Sequence, residues 1–319
     1  MDAGAVLRMA RFFAVVTVML GMAGGGILAV VNLGPPAEGE LFRSSGIAGK
    51  RELLIGVKED QPGIGLFDQQ AGVYVGFDIE IAKMVAAELH FPAERVRFLG
   101  IQGEDRARMH AKDETGRTVK VDLVVASYSI TDRREGQIGV SFAGPYLVTE
   151  RSVITMANHV PVESLADLRG KSVCTLGTST SEGPLAEAGL LITLKLNISE
   201  CVSAMKRGEV EAVSLDSAVL AGFVQRDHPA LVNHDIASEA DERWGINTGG
   251  NEALRTLVNL ALERSRVCPG ERTWEDAFER YLKQAERYVT TQAVAEATQP
   301  EVDQKPKVRE WPWQKALCE

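Results

Sequence analysis

The chain has 319 residues, a net charge of −9 and 45% hydrophobic residues. That length holds one large domain or two moderate ones, with ample apolar material for a core. The acidic balance excludes a nucleic-acid surface, which needs a basic stripe, while four cysteines suit disulfides or free thiols alike.

Arg8 and Arg11 precede an uncharged stretch, 12–37, whose first part, 12–33, is strongly apolar. As a helix that first part would span roughly 33 Å, about the thickness of a bilayer core. Arginines ahead of it place the rest of the chain outside the cytoplasm. Residues 1–33 are therefore expected to be a signal anchor or a signal peptide. A retained membrane helix is the favoured reading, because no lipid-accepting cysteine and no clean cleavage site ends the run. A cleaved peptide and a buried soluble helix are the alternatives.

Residues 34–50 are rich in Pro, Gly and Ser and read as a linker. A strand follows at 52–57, then a loop holding Asp60-Gln61-Pro62-Gly63. Gly76-Phe77-Asp78 opens a helix, with Asp78 as N-cap and Ile81, Ala82, Val85, Ala86 and Leu89 at helical spacing. The next expected strand is 119–126, within which Val121-Asp122-Leu123-Val124-Val125-Ala126 has the apolar character of a buried parallel strand.

That run leads into Ser127-Tyr128-Ser129-Ile130-Thr131-Asp132-Arg133-Arg134. Hydroxyls and backbone N–H groups at a strand end, with a guanidinium one turn on, suit a planar carboxylate, because the arginine fork engages both oxygens. Ligands of open α/β sheets sit at the carboxyl ends of the strands. The segment is expected to grip the α-carboxylate of a free amino acid.

A second α/β set runs from 165 to 232. It has a helical turn at 164–168, a strand at 171–176 ending in Gly177-Thr178-Ser179-Thr180, a helix at 200–207 and a strand at 210–215. Helices return at 252–267 and 274–288, broken by Pro269-Gly270, and the tail after Thr298 lacks periodicity and reads as flexible. The five histidines are scattered, so no metal site and no cofactor are expected. No paired nucleophile and base appear either, so the chain is not expected to be an enzyme.

In order and spacing these motifs, with Phe142-Ala143-Gly144-Pro145-Tyr146, Asp167-Leu168-Arg169-Gly170-Lys171, Ser179-Thr180-Ser181 and Ala212-Val213-Ser214-Leu215-Asp216, resemble one family. They are similar to the extracytoplasmic solute-binding proteins of polar amino-acid ABC transporters, and among these to glutamate-binding proteins of actinobacterial type. The resemblance covers roughly residues 52–282. It implies an α/β, two-lobed periplasmic-binding-protein-like fold of type II, each lobe a central sheet flanked by helices, with the N-terminal membrane helix ahead of it. The solute-binding domain would be 51–290, with lobe one at about 51–148 and 244–288 and lobe two at about 153–240. Hinge crossovers would fall near 147–152 and 238–244, and 291–319 would be a C-terminal tail.

The resemblance also implies site roles. Arg134 matches the family's carboxylate-binding arginine, with Arg133 a surface residue. Ser127 and Ser129 match contacts to the ligand backbone, Thr180 a donor to the carboxylate, and Asp216 the partner of the α-ammonium. Helix capping competes for Asp216. Thr178 stands where the family often has glycine, which leaves the local turn open. Asp60 and Gln61 fall where relatives read the ligand side chain; Lys58, Arg106 and Arg151 are the candidates for a glutamate γ-carboxylate, with no choice among them. Asp78 is family-typical and reads as a structural cap. Cysteines of glutamate-type relatives imply a Cys174–Cys201 disulfide, whereas Cys268 and Cys318 either pair or stay free.

The function so implied is capture of a polar amino acid, glutamate first, by a monomer that docks on permease subunits served by a cytoplasmic ATPase. Glutamine and asparagine stay open. A membrane-tethered amino-acid sensor or accessory module is the second reading, and a cyclohexadienyl-dehydratase-like lyase the third.

Overall fold

The computed structural model describes residues 34–237 and 241–309, with Met19 and Cys318. The expected membrane helix lies outside the described residues apart from Met19. Among the described residues no helix is long and apolar enough to cross a membrane.

In chain order the strands are β1 (Leu53–Val57), β2 (Asp60–Gln61), β3 (Gly65–Asp68), β4 (Val73–Val75), β5 (Val96–Gly100), β6 (His110–Lys112), β7 (Thr118–Lys120) and β8 (Leu123–Val124). Then come β9 (Phe142–Met156), β10 (Ser172–Leu176), β11 (Leu191–Lys195), β12 (Ala212–Asp216), β13 (Leu231–Asp235) and β14 (Asp241–Asn247). The expected strand at 119–126 is divided. Its first residues join the β6–β7 hairpin, and Asp122 turns out to pair with Lys50 and to accept from the Leu54 N–H at 3.0 Å. Only the short β8 enters the sheet, parallel to β1. The edge strand β5, parallel to β1, has no clear apolar alternation and escaped the sequence reading.

Two lobes grow from one strand. β9 is fifteen residues long, roughly 50 Å when extended. Its first part pairs antiparallel with β14, from Phe142 opposite Asn247 to Glu150 opposite Asp241, and continues through β8, β1 and β5. Its second part lies between β12, where Arg151 faces Asp216, and β13, where Ser152 faces Asp235. Beyond β12 stand the parallel strands β10 and β11. The crossover expected near 147–152 is thus an unbroken strand shared by both sheets. Of the second, β14 is described and 238–240 are not.

The first lobe buries an aromatic cluster where β9 meets its helices. Phe77 and Tyr146 have ring centroids 6.3 Å apart, and Trp274 meets Phe77 edge-on at 5.9 Å. The Trp274 indole donates to the Tyr146 carbonyl at 2.8 Å, so the buried N–H is satisfied. The helix Phe77–Glu88 begins at Gly76, with φ of 133°. A Cβ there would stand 2.2 Å from the Ile64 carbonyl oxygen, so only glycine fits.

Three sequence expectations change here. Residues 34–50 are not a plain linker: Glu38–Ser45 is a helix whose Leu41 is buried and whose Glu38 pairs with Arg264 at 2.9 Å. Asp78 is not the N-cap but the second residue of its helix. The tail is not loose: Val289, Val294 and Val302 are buried, and its backbone bonds to β9. Alternation was too sparse to announce it, because an extended segment lying on a strand buries isolated valines.

Both cysteine pairs are disulfides. Cys174 and Cys201 have Cα atoms 5.4 Å apart, joining β10 to the helix Ile198–Lys206. Cys268 and Cys318 stand at 5.0 Å, which resolves the alternatives left open for them in favour of pairing.

Candidate functional site

The turn after β8 is held by a buried carboxylate. Ser127 adopts φ of 42°, a left-handed backbone that few residues other than glycine take. Its N–H donates to Asp78 Oδ2 at 2.8 Å, and Tyr146 donates its hydroxyl to Asp78 Oδ1 at 2.9 Å. Full burial pushes the Asp78 carboxyl up to about 7, against those two stabilising bonds. Asp78 is therefore structural, as a tether between the helix, the turn and β9. On the other side Gly245 N–H donates to the Tyr128 carbonyl at 2.9 Å, and Ile130 N–H to the Arg243 carbonyl at 2.7 Å.

Arg134 lies on the short helix Asp132–Glu135, whose N-cap Thr131 accepts from its N–H. Its guanidinium is buried and donates through Nη1 to the Ser129 carbonyl at 2.6 Å. Through Nη2 it donates to the Thr178 carbonyl in the second lobe at 2.9 Å. Tyr128 lies against two guanidiniums, Arg134 at 4.7 Å and Arg106 at 4.5 Å from its ring. Cation–π attraction offsets part of the repulsion between them. Arg106 donates to the Ala126 and Ser127 carbonyls at 3.2 and 3.0 Å. Burial first, and Arg134 second, lower its pKa to about 10.

The second lobe meets this cluster at Thr178, whose carbonyl takes the Arg134 bond, and at Asp216, whose charge acts on both guanidiniums. Thr178 has φ of 65°, the glycine-favouring conformation, at the position whose turn the resemblance left open. Thr180 is half-buried. Beside it the Ser181 hydroxyl is buried with no hydrogen-bond partner among the described residues. Asp216 ends β12 and precedes the helix Ser217–Arg226, yet its side chain makes no capping bond. Instead Oδ2 accepts from the Trp244 indole at 2.6 Å. Burial, then the negative charge of Glu242, push the Asp216 carboxyl well above the ordinary range, while Arg151 and Arg134 pull it back. Arg151 itself is held in a buried ion pair with Glu242 at 2.8 Å.

Asp60 and Gln61 separate in role. Gln61 is buried and its Oε1 accepts from the Ser127 hydroxyl at 3.1 Å, so Gln61, Ser127, Ser129 and Arg134 share one wall. Asp60 reaches across to the other lobe, where Oδ2 accepts from the Ser199 N–H at 3.0 Å. That amide is in the first turn of the helix Ile198–Lys206, whose N-cap Asn197 supplies no capping bond. A carboxylate from lobe one thus caps a lobe-two helix. Next to it Pro62 packs on Gly222: a Cβ on Gly222 would stand 1.9 Å from the Pro62 carbonyl oxygen. Lys58 is buried with Nζ 3.7 Å from Asp60 and 3.5 Å from the Ile101 carbonyl.

The arrangement suits a small zwitterion carrying extra negative charge. One wall presents a guanidinium fork with a second guanidinium behind it, and the other presents a buried acid. Sequence reasoning passed over Tyr128, Trp244 and Ser199. Tyr128 stood in plain view between the two serines, whereas nothing local marks Trp244 or Ser199, each of which matters through a partner distant in sequence, Asp216 for the one and Asp60 for the other. Among the described residues no group of three or more His, Cys, Asp or Glu is placed to hold a metal ion.

Comparison with known proteins fits this geometry. The family described as bacterial extracellular solute-binding proteins, family 3, matches residues 53–286. The glutamate-binding protein GluB of Corynebacterium efficiens is 27% identical over 239 residues, covering 72% of this chain and 77% of that one. The ABC transporter glutamine-binding protein GlnH of Bacillus subtilis is 25% identical over 239 residues, covering 73% and 82%. Among solved structures, an ancestral arginine-binding protein bound to glutamine superposes with a TM-score of 0.63 at 28% identity, over 73% of this chain and 98% of that one.

Proposed function

We infer that this chain, which belongs to the bacterial extracellular solute-binding proteins, family 3, binds a free polar amino acid between its lobes and hands it to an ABC permease. Glutamate is the first ligand proposed and glutamine the next. The observation that carries the reading is the Arg134 guanidinium, buried at the lobe boundary with one donor on each lobe.

In this reading the ligand α-carboxylate engages Arg134, with Ser129 and Thr180 adding donors. The α-ammonium pairs with Asp216 and the Ser127 carbonyl, and Gln61 faces the ligand side chain. Asp60 serves as a latch between lobes through Ser199. Arg106 beside Arg134 and Tyr128 supports a second carboxylate on the ligand, as does similarity to a protein named for glutamate. Lys58 and Arg151 are less apt, because each already faces an acid. The proposal extends to an extracytoplasmic monomer, tethered by its N-terminal apolar segment, that docks on permease subunits powered by a cytoplasmic ATPase.

Thermal-shift screening against the twenty amino acids tests it. A ligand at 100 times its dissociation constant adds about 2.7 kcal/mol of stability. Glutamate or glutamine is expected to raise the melting temperature, and a flat response to all twenty overturns the reading.

A further inference from the structure

The family match ends at residue 286, yet the ordered chain continues as an extended segment, 289–309, that touches both lobes in turn. At its start the Tyr288 ring lies 5.2 Å from His228 of lobe two. Thr291 Oγ1 then accepts from Asn233 Nδ2 at 3.1 Å and donates to the Asn233 carbonyl at 3.3 Å, and Ser217 donates to the Ala293 carbonyl at 3.3 Å. These are second-lobe anchors.

The segment next lies on the strand shared by both lobes. Thr149 Oγ1 donates to the Val294 carbonyl at 2.7 Å. The Glu296 and Asp303 N–H groups donate to the Val148 and Gly144 carbonyls, each at 2.9 Å. Beyond it come first-lobe anchors on the helix Glu252–Val267. Gln299 Nε2 donates to the Leu262 carbonyl at 2.9 Å, and Asn259 Nδ2 to the Gln304 carbonyl at 3.0 Å. Arg309 N–H donates to the Pro36 carbonyl, and Cys318 is bonded to Cys268 just past that helix.

We propose that residues 289–309 form a strap that limits how far the two lobes swing apart and so slows release of the ligand. A chain bonded to both lobes and to their common strand is strained by any rotation between them. Its buried Val294 and Val302 and the distal disulfide keep it from peeling off and reattaching in a shifted register. Unlike Arg134 or Asp60, which bridge the lobes inside the cleft, the strap holds them whether or not the cleft is filled. The effect on ligand release rests on the binding reading above; the effect on lobe opening does not.

Two variants loosen the strap without touching the cleft. Thr291→Val with Gln292→Ala removes the side-chain hydrogen bonds that tie Thr291 and Gln292 to Asn233. A Gly-Gly-Ser-Gly-Gly-Ser insertion after Ala293 gives slack between the last lobe-two anchor and the first bond to β9 while sparing every anchor. Small-angle X-ray scattering of the amino-acid-free protein reads opening, and stopped-flow fluorescence reads release. Both variants are expected to increase the radius of gyration and to speed dissociation, the double substitution by about 2- to 12-fold per hydrogen bond lost. Unchanged scattering in both variants, each shown to melt cooperatively, overturns the strap. Expansion in a protein that binds none of the twenty amino acids would uphold the strap and sink the binding reading instead.

Discussion

Arg134 of the first lobe donates through Nη2 to the main-chain carbonyl of Thr178 in the second, at 2.9 Å. A single side chain therefore does two things, presenting a guanidinium fork at the lobe boundary and bonding one lobe to the other. The Thr178 carbonyl is available because its residue takes a left-handed turn, which aims the peptide oxygen into the cleft. In the proposed function, closure and carboxylate recognition would be coupled at this contact.

Removal of that guanidinium is expected to abolish tight binding. Truncating one partner of a buried charge pair costs about 3–5 kcal/mol, or about 100- to 3,000-fold in affinity. Isothermal titration of Arg134→Ala with glutamate checks this. Arg134→Lys is expected to bind at an intermediate level, because an ammonium keeps the charge without the fork. Near-native affinity in the alanine variant would refute the assignment.

Much of this site was readable from the chain. The strand-end serines, Arg134 and Asp216 each carry a local signature, a small polar turn or an acid closing an apolar run, and the structure brings them to the lobe boundary. The rest depended on distant partners. Asp60 read as a ligand contact because nothing in its neighbourhood reveals that Ser199 waits 139 positions later. Asp78 read as a cap because helix starts favour aspartate, while its true partners, Ser127 and Tyr146, come from a turn and a hinge strand. The tail read as loose because its order comes from bonds to β9 rather than from a periodicity of its own.

Gly222 sets how closely the lobes approach. In Gly222→Ala the added methyl would meet the Pro62 carbonyl, a clash that exists only where the lobes touch. Overpacking of about 1–3 kcal/mol should then fall on the closed form, weakening ligand binding by about 5- to 150-fold. Titration checks the affinity, and scattering of the ligand-saturated variant should show a less compact particle. Unaltered affinity would mean that binding does not need this approach.

The Cys174–Cys201 bridge, closing a separation of 27 residues, should stabilise lobe two by about 3.5 kcal/mol in the loop-entropy estimate. Cys174→Ser with Cys201→Ser is expected to lower the denaturation midpoint by a matching amount. Neither cysteine is among the residues proposed to touch the ligand, so ligand affinity at temperatures well below melting should change little. Urea unfolding followed by circular dichroism measures the first effect and titration the second.

Asp216 should make binding sensitive to acid. Burial and Glu242 favour its protonated form, yet an α-ammonium pairs only with the carboxylate. Binding must therefore release a proton wherever the empty site still holds one, and affinity should fall as pH is lowered, by up to about tenfold per unit. Titrations in buffers of different ionisation enthalpy would expose the proton, and Asp216→Asn should erase the buffer dependence along with most of the affinity.

Asp78 should shape stability in the opposite sense to a salt-bridged acid. Its folded pKa of about 7 lies above the ordinary 3.8, so the folded protein holds a proton that the unfolded chain has lost. The stabilisation this gives is complete below about 4 and is lost as pH rises through about 7, at about 1.4 kcal/mol per unit between. Asp78→Asn removes the titration while keeping an acceptor for the Ser127 N–H. The difference in unfolding free energy between the native protein and this variant, measured in urea from pH 4 to 8, should therefore shift in favour of the native protein as pH falls and level off above about 7. A difference independent of pH would mean that Asp78 is ionised throughout, with its charge compensated through the nearby Arg106.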